Sequence, residues 1–322
     1  MKQFFYIVFG GLIILFLALI FNSVRLKIIQ DSNHRMPTVK TDVINAAEEE
    51  GASVRTGDFW SLATSTITAR SYVLYDLDKN TMIKGKNFDT VMPVASLIKL
   101  LTAVVADNLI PKDREIHINN AILDIYGNAA GFRDGETLTR DDLMYPLLMV
   151  SSNDAAELLA RSYGRTKFIK AMNDFAFEIG AYRTYVGDPT GLSALTVSTA
   201  HDIEILLDWM RINKPELLDI TMQKMITIRN HTWVNPTHFL SWSYFSGGKN
   251  GYTPEANRTG ALLFNIEVAT STTTPIANHA SSTSTMMQRY AVVVLGSQAR
   301  DSDVVSLLKN AVPQSTPVTH SR

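Results

Sequence analysis

The chain has 322 residues, of which 46% are hydrophobic and 19% are charged, a composition typical of a globular protein with one large domain or two small ones. The net charge of −1 gives no indication of a nucleic-acid partner, and the lack of cysteine excludes disulfides and thiolate chemistry. The seven histidines are scattered without a His-Glu-x-x-His pair, so the sequence gives no sign of that type of zinc site.

The N-terminus carries an unbroken apolar run at residues 4–21. As a helix this run would span about 27 Å, close to the hydrocarbon thickness of a bilayer. No small-x-small cleavage site follows it, so we expect residues 1–22 to form an uncleaved transmembrane signal-anchor, with a cleaved signal peptide as the alternative. The flanking charges, Lys2 before the run and Arg25 and Lys27 after it, are too nearly balanced to give an orientation.

The next segment, residues 23–66, is polar and weakly patterned, and we interpret it as a stalk. The alternative is that part of it packs on the folded domain as an extra helix. We expect the domain itself at residues 67–312 and a polar tail at residues 313–322.

Strands and helices alternate along the domain in blocks. A β-hairpin is predicted at residues 71–76 and 81–83, and a buried helix at residues 94–105, with Pro93 just ahead of it. Further helices are predicted at residues 143–150, 154–162, 166–179, 199–212 and 302–311, and strands at 226–229, 260–268 and 290–296. The Ser/Thr-rich residues 269–285 are expected to form a mobile loop. This order favours an α+β fold, with an antiparallel sheet packed against a cluster of helices.

The predicted buried helix contains Ser96 and Lys99, three residues apart and therefore on one helix face. A serine hydroxyl needs a base to become a nucleophile, and a lysine can be that base if burial lowers its pKa. Taken alone, this pair is more often a solvated helix pair.

Two later segments complete a set of three. Residues 151–153 read Ser-Ser-Asn, which alone indicates a helix end followed by an N-cap. Residues 247–251 read Gly-Gly-Lys-Asn-Gly, which alone indicates a glycine-rich hairpin. Ser-x-x-Lys, Ser-x-Asn and Lys-x-Gly in this order are the motif set of β-lactamases and penicillin-binding proteins.

With these motifs the sequence resembles the low-molecular-weight penicillin-binding proteins, the serine D-alanyl-D-alanine carboxypeptidases. The likeness is carried by residues 93–103, 151–156, 188–192, 198–202 and 247–256. It implies a β-lactamase/transpeptidase-like fold and a substrate that is a peptidoglycan pentapeptide ending in D-Ala-D-Ala. It also implies inhibition by β-lactams, a domain on the extracytoplasmic side of the cell membrane, and a mechanism that needs neither a metal nor another cofactor.

The resemblance also assigns roles to residues. Ser96 would form the acyl-enzyme, Lys99 would accept its proton, and Ser151 would relay that proton to the leaving amine. The substrate would be bound by Asn153, Lys249, Asn250, Gly251 and Tyr252, and the backbone N–H groups of Ser96 and Tyr252 would form the oxyanion hole.

One position departs from the family pattern, in which the third motif is usually Lys-Thr-Gly. Here Asn250 replaces the threonine that helps hold the substrate carboxylate, which gives weight to DD-endopeptidase activity as an alternative. A non-catalytic penicillin-binding sensor domain and a β-lactamase are two further candidate functions. Trp233, Trp242 and Tyr244 could line a glycan cleft, although core packing is the simpler interpretation.

Overall fold

The structure is a computed structural model that describes residues 59–64, 66–123, 129–270 and 284–311. The predicted signal-anchor, the predicted stalk up to residue 58 and the predicted polar tail lie outside these residues. Within the described ranges, no helix is both long and apolar enough to cross a membrane.

A five-stranded antiparallel sheet is the centre of the domain, with the strand order β2–β1–β11–β10–β9. Its strands are β1 (Ser71–Asp76), β2 (Thr81–Lys86), β9 (Phe245–Thr253), β10 (Asn257–Thr270) and β11 (Ser284–Ser297). Val73 is opposite Val293 and Leu262 is opposite Val292, so apolar side chains meet across the sheet. The predicted hairpin at β1 and β2 is confirmed.

Three pairs of short strands lie outside this sheet. They are β3 (Met92–Pro93) with β6 (Val197–Ser198), β4 (Glu115–His117) with β5 (Thr137–Thr139), and β7 (Met225–Ile228) with β8 (His231–Val234). The predicted strand at residues 226–229 is therefore present, but in a separate hairpin. Pro93, just ahead of the predicted buried helix, lies in a two-residue strand opposite Val197, where its fixed φ and missing N–H are tolerated.

Eight α-helices occupy the described part of the chain: α1 (Ile98–Leu109), α2 (Asn120–Leu123), α3 (Arg140–Met149), α4 (Asn153–Tyr163), α5 (Arg165–Glu178), α6 (Ala200–Asn213), α7 (Pro215–Thr221) and α8 (Arg300–Ala311). At the starts of α3 and α6, a side chain accepts a backbone N–H group of the first helical turn. Thr139 and Asp142 form a reciprocal capping box at α3, and the Thr199 hydroxyl accepts the backbone N–H of Asp202 at α6. The predicted long helices are thus confirmed to within a few residues, except that α1 begins at Ile98 after a 3₁₀ turn, Ala95–Leu97.

The sheet separates two apolar clusters, because successive side chains of a strand point to opposite faces. Val73 and Val293 belong to the larger cluster, which contains α1 and most other helices. Leu74 and Val292 belong to the smaller cluster, which is closed by α8. Trp242 lies in the smaller cluster and Trp233 in the larger, so core packing is the correct interpretation of both.

Two predicted boundaries need correction. The predicted stalk reached residue 66, yet residues 59–64 pack on the domain: Trp60 meets Trp242 edge to face at 5.1 Å, and the Thr64 N–H donates to Ser306 Oγ at 2.8 Å. The predicted loop at residues 269–285 is shorter than expected, because β10 and β11 still pair at Thr270 and Ser284. Residues 271–283 lie outside the described part of the chain.

Candidate active site

The predicted nucleophile lies where the chain passes from β3 into α1. Ser96 is half-buried in the 3₁₀ turn Ala95–Leu97, and Ala95 has a left-handed backbone with φ +50°. Such a conformation is uncommon for a residue with a side chain and is often found at functional sites. The turn presents the Ser96 hydroxyl at the start of a helix that is buried from Ile98 to Ala106.

Lys99 is fully buried one turn further along, and its amine lies 2.8 Å from Ser96 Oγ. The same amine donates to Asn153 Oδ1 at 2.8 Å and to the carbonyl oxygen of Thr190 at 2.7 Å. Two of these three neighbours can only accept a hydrogen bond, whereas a hydroxyl can also donate one. The three oxygens can accept three hydrogen bonds from an ammonium, or two from an uncharged amine whose lone pair then faces the Ser96 hydroxyl.

The electrostatics of the site favour the uncharged form of Lys99. Burial lowers the pKa of Lys99 to about 7, although Asp188 and Asp154 oppose this shift. An ammonium loses much of its hydration when buried, which favours the free amine. Near neutral pH a large fraction of Lys99 is thus available as a base.

The second motif connects α3 to α4. Ser151 has φ +60°, and its hydroxyl oxygen is buried with no hydrogen-bond partner among the described residues. Ser152 is the N-cap of α4, where its hydroxyl accepts the Ala155 N–H at 3.1 Å. The capping interpretation is therefore correct for Ser152, whereas Asn153 reaches Lys99 and the Ser151 hydroxyl is left for another partner.

The third motif lies on β9, one of the two edge strands of the five-stranded sheet. A methyl group built on Gly251 would come 2.9 Å from the Ser96 nitrogen and 2.7 Å from Thr259 Oγ1. Only a residue without a side chain allows β9 to lie so close to the nucleophile turn. Lys249, Asn250 and Tyr252 are carried to the site on the same strand.

Lys249 gives this strand a buried amino group. It is 6% exposed, and its amine donates to the backbone oxygen of Asn250 at 2.8 Å. Burial, followed by the charges of Lys99 and Arg300, holds the pKa of Lys249 well below its usual value. An anionic ligand group would offset this crowding of positive charge.

Asn250 departs from the family pattern and also has an unusual environment. Its Nδ2 donates to Thr237 Oγ1 at 3.2 Å, and its Oδ1 is buried with no partner in the described structure. Arg300 lies on the same face, since a methyl group built on Gly260, the residue opposite Asn250, would be 3.0 Å from Arg300 Cδ.

The loop after α5 delivers the Thr190 carbonyl to Lys99. The Asp188 carboxylate holds this loop together through both of its oxygens. Oδ1 accepts the N–H groups of Thr190 at 2.7 Å and Gly191 at 2.8 Å. Oδ2 accepts the Ser193 N–H and the Thr196 hydroxyl, both at 2.9 Å. The Thr102 hydroxyl of α1 donates to the Pro189 carbonyl at 2.7 Å and attaches the loop to the nucleophile helix.

The structure thus brings the predicted residues of all three motifs to one place. The sequence-based interpretation missed the Thr190 carbonyl, Asp154, Thr237 and Arg300, although residues 188–192 carry part of the resemblance to the family. His201, at the start of α6, lies edge to face with Phe88. In the described ranges, no three His, Asp or Glu side chains cluster in a way that could hold a metal.

Comparison with known proteins identifies the family of the chain. A family model described as D-alanyl-D-alanine carboxypeptidase matches residues 59–264. The D-alanyl-D-alanine endopeptidase of Escherichia coli is 35% identical over 175 residues, which cover 53% of this chain and 56% of that protein. The D-alanyl-D-alanine endopeptidase of Pseudomonas aeruginosa is 33% identical over 203 residues, which cover 59% of this chain and 65% of that protein.

The match spans less than two thirds of the length of these two relatives. Among solved structures, the crystal structure of D-alanyl-D-alanine carboxypeptidase from Mycobacterium tuberculosis superposes with a TM-score of 0.64 at 25% identity, covering 78% of this chain and 94% of that chain. This likeness confirms the predicted α+β, transpeptidase-like fold. Because the family model matches residues 59–264, more than half of the 322 residues, the chain belongs to the D-alanyl-D-alanine carboxypeptidase family of serine peptidases, within the low-molecular-weight penicillin-binding proteins.

Proposed function

We propose that the chain is a serine DD-peptidase that hydrolyses the bond after D-alanine in peptidoglycan stem peptides, acting as a D-alanyl-D-alanine carboxypeptidase through an acyl-enzyme on Ser96. One observation carries the proposal: the buried Lys99 amine lies 2.8 Å from Ser96 Oγ and donates to two acceptor-only oxygens. A nucleophile needs an uncharged base within hydrogen-bond reach. Lys99 is within that reach of Ser96, and its pKa, lowered to about 7 by burial, makes the free amine available near neutral pH.

The proposed acylation moves one proton along a short path. Ser96 Oγ attacks the D-alanine carbonyl carbon while its proton passes to Lys99 Nζ. The tetrahedral oxyanion is bound by the backbone N–H groups of Ser96 and Tyr252, each donor contributing about 3 kcal/mol. The Ser151 hydroxyl passes the proton to the leaving amine as the C–N bond breaks, and water then hydrolyses the ester.

The substrate groups beside the reacting bond have partners of matching chemistry. Asn153 would orient the substrate amide, and the buried Lys249 amine with Arg300 nearby suits a carboxylate. Close approach of the peptide to β9 is possible because Gly251 has no side chain. No step of this path calls on a metal or another cofactor.

A second candidate is cleavage of the cross-link between two stems, the DD-endopeptidase reaction. The Escherichia coli and Pseudomonas aeruginosa relatives carry that name, and Asn250 favours it independently. The unpartnered Asn250 oxygen is a hydrogen-bond acceptor, so it adds nothing to the binding of a free terminal carboxylate.

The β-lactamase alternative would need a residue that activates the deacylating water. Asp188 is the acid in the described loop beside Lys99, and both of its oxygens already accept hydrogen bonds within that loop. If the chain is a DD-peptidase, a penicillin adduct on Ser96 should therefore be long-lived. A β-lactamase would hydrolyse that adduct quickly, and a sensor domain that fails to acylate would not form it.

Chromatography with mass detection tests the proposed reaction. The full chain and Ser96→Ala would each be incubated with a pentapeptide stem and with a D-Ala cross-linked dimer of stems. Free D-alanine from the pentapeptide supports the carboxypeptidase, and monomers from the dimer support the endopeptidase. If wild type and Ser96→Ala leave both substrates intact, the peptidase proposal is wrong.

We also propose that residues 4–21 attach the protein to the cell membrane with its catalytic domain on the extracytoplasmic side. The support is the apolar run and the location of peptidoglycan outside that membrane. Resistance of the chain to alkaline extraction from membranes, together with cleavage of the domain by protease added outside spheroplasts, tests this location. Release by alkali would contradict it.

A further inference from the structure

The third motif has no hydroxyl at position 250, yet a hydroxyl lies directly beside the residue that stands there. Thr237 is half-buried, and its Oγ1 accepts a hydrogen bond from Asn250 Nδ2 at 3.2 Å. A hydroxyl can accept and donate at the same time. Because the contact with Asn250 uses only an accepting lone pair, the hydroxyl hydrogen of Thr237 is left over, and no described residue accepts it.

Helix capping does not account for this hydroxyl. Thr237 is the N-cap of the 3₁₀ turn His238–Ser241, a position where a threonine hydroxyl commonly accepts a backbone N–H group of the turn. The Thr237 side chain makes no such capping hydrogen bond. Within the described part of the chain, its hydroxyl therefore serves Asn250 and whatever binds next to Asn250.

The backbone of Thr237 is fixed to the strand that carries Asn250. Asn235 Oδ1 accepts the Thr237 N–H at 3.1 Å, and Asn235 Nδ2 donates to the Thr221 carbonyl at 2.9 Å. The Thr221 hydroxyl in turn accepts the N–H of Gly248 on β9 at 3.0 Å. The Thr237 hydroxyl is thus held in place by a chain of hydrogen bonds that begins on β9 itself.

The segment that carries Thr237 also contacts the start of α8. His238 Nδ1 lies 3.3 Å from Asp301 Oδ2, and Asp301 Oδ1 accepts a hydrogen bond from Arg300 Nε at 2.8 Å. The Arg300 side chain packs against the residue of β10 that is paired with Asn250. A hydroxyl and a cationic side chain are therefore both next to position 250, a combination that suits an anionic ligand group.

We infer that Thr237 is a substrate-binding residue that contributes to specificity: its hydroxyl donates a hydrogen bond to the terminal carboxylate of the substrate, in place of the hydroxyl that the third motif lacks. The inference rests on the proposed function, in which this carboxylate binds beside Lys249 and Arg300. The Asn250 oxygen is an acceptor and adds nothing to that binding. The Asn250 amide acts indirectly, because its hydrogen bond to Thr237 Oγ1 holds the hydroxyl in place and leaves the hydroxyl hydrogen for the carboxylate.

Two peptides that differ only at the terminal group test this role. Release of the last residue would be followed by chromatography with mass detection for a pentapeptide stem with a free D-Ala-D-Ala carboxylate and for the same stem with a terminal carboxamide. Thr237→Val in the full chain should lower kcat/KM for the carboxylate peptide about 10–100-fold, the usual effect of losing a hydrogen bond to a charged group. The carboxamide peptide should lose less, because a hydrogen bond to an uncharged group contributes less.

Two further variants separate the hydroxyl from the side chain as a whole. Thr237→Ser keeps a hydroxyl and should retain most of the preference for the carboxylate peptide. Thr232→Val is the matched control, since Thr232 is an exposed threonine of β8 whose hydroxyl pairs with Thr227 Oγ1 at 2.9 Å. It should leave kcat/KM unchanged for both peptides. If Thr237→Val does not fold by circular dichroism, Thr237→Ala takes its place.

The results distinguish this inference from the function on which it rests. An equal loss for both peptides in Thr237→Val would mean that Thr237 only supports the fold of the site, and would overturn the inference. No loss for the carboxylate peptide would overturn it as well, while leaving the peptidase in place. If wild type releases the last residue from neither peptide, the proposed carboxypeptidase function is wrong, and this inference with it.

Discussion

Gly191 lies against the backbone of Ala95, the residue that precedes the nucleophile: a methyl group built on Gly191 would come 2.0 Å from the Ala95 carbonyl oxygen. Gly191 also has φ +83°, a left-handed conformation that side chains disfavour. The loop that carries the Thr190 carbonyl to Lys99 is therefore fitted to the Ser96 turn through a position that only glycine occupies without strain.

The first prediction concerns this contact. Gly191→Ala should destabilise the protein by at least about 3 kcal/mol, because backbone strain and a clash with the nucleophile turn add together. Gly180→Ala is the matched control, since Gly180 has φ +92° but open space around it, and should cost only about 1–2 kcal/mol. Urea unfolding measures both, and equal losses would contradict the contact.

The second prediction concerns the base. Lys99→Ala should retain the fold but lower the rate of acylation by penicillin about 10²–10⁴-fold, the usual contribution of a general base. In wild type the rate should rise with pH through about 7 and then level off, because the Lys99 ammonium loses its proton in that range. Stopped-flow acylation with circular dichroism as the folding control measures both effects. A wild-type rate in Lys99→Ala at neutral pH would rule out this assignment.

The third prediction concerns the loop acid. Asp188→Asn replaces one accepting oxygen with an NH₂ group that faces backbone or hydroxyl donors, and should cost at least about 2 kcal/mol of stability. It should also slow acylation by displacing the Thr190 carbonyl from Lys99. Asp174→Asn on the exposed face of α5 removes only a surface pair with Lys170, and should cost less than about 1 kcal/mol. Similar midpoints of urea unfolding for the two variants would show that the loop does not depend on Asp188.

The fourth prediction concerns Asn250. Asn250→Thr supplies a short hydroxyl donor, and a hydrogen bond to a charged group is worth about 1.5–3 kcal/mol, or roughly 10–100-fold in kcat/KM. We expect that gain for a peptide ending in a free D-Ala-D-Ala carboxylate. The same peptide with a terminal carboxamide should gain little. Equal gains for both peptides would show that residue 250 does not contact the terminal group.

The parts of the fold and the site that depend on residues close together along the chain could be predicted from the sequence. Ser96 and Lys99 are one helical turn apart, so their contact follows from spacing alone, although the turn at Ser96 is 3₁₀ rather than α-helical. The β1–β2 hairpin and the long helices were predictable from alternation, helical periodicity and capping residues. The two-residue strands β3 and β6 were not, because two residues are too short to show alternation.

The rest of the site could not be predicted because it depends on contacts between distant parts of the chain. The Thr190 oxygen that Lys99 contacts is a backbone atom 91 residues away, and a backbone carbonyl has no signature in a sequence. Thr237 and Arg300 approach Asn250 only through the folding of the sheet. Nothing in the pattern around Asp154 indicates that both of its oxygens are enclosed without a donor.

The role of Ser96 as the nucleophile is tested most directly by the intact mass of the full chain after exposure to a penicillin, measured beside Ser96→Ala. We expect a stable adduct of one penicillin per chain in wild type and none in Ser96→Ala. No adduct in wild type, or an equal adduct in both proteins, would contradict the assignment of Ser96 as the nucleophile.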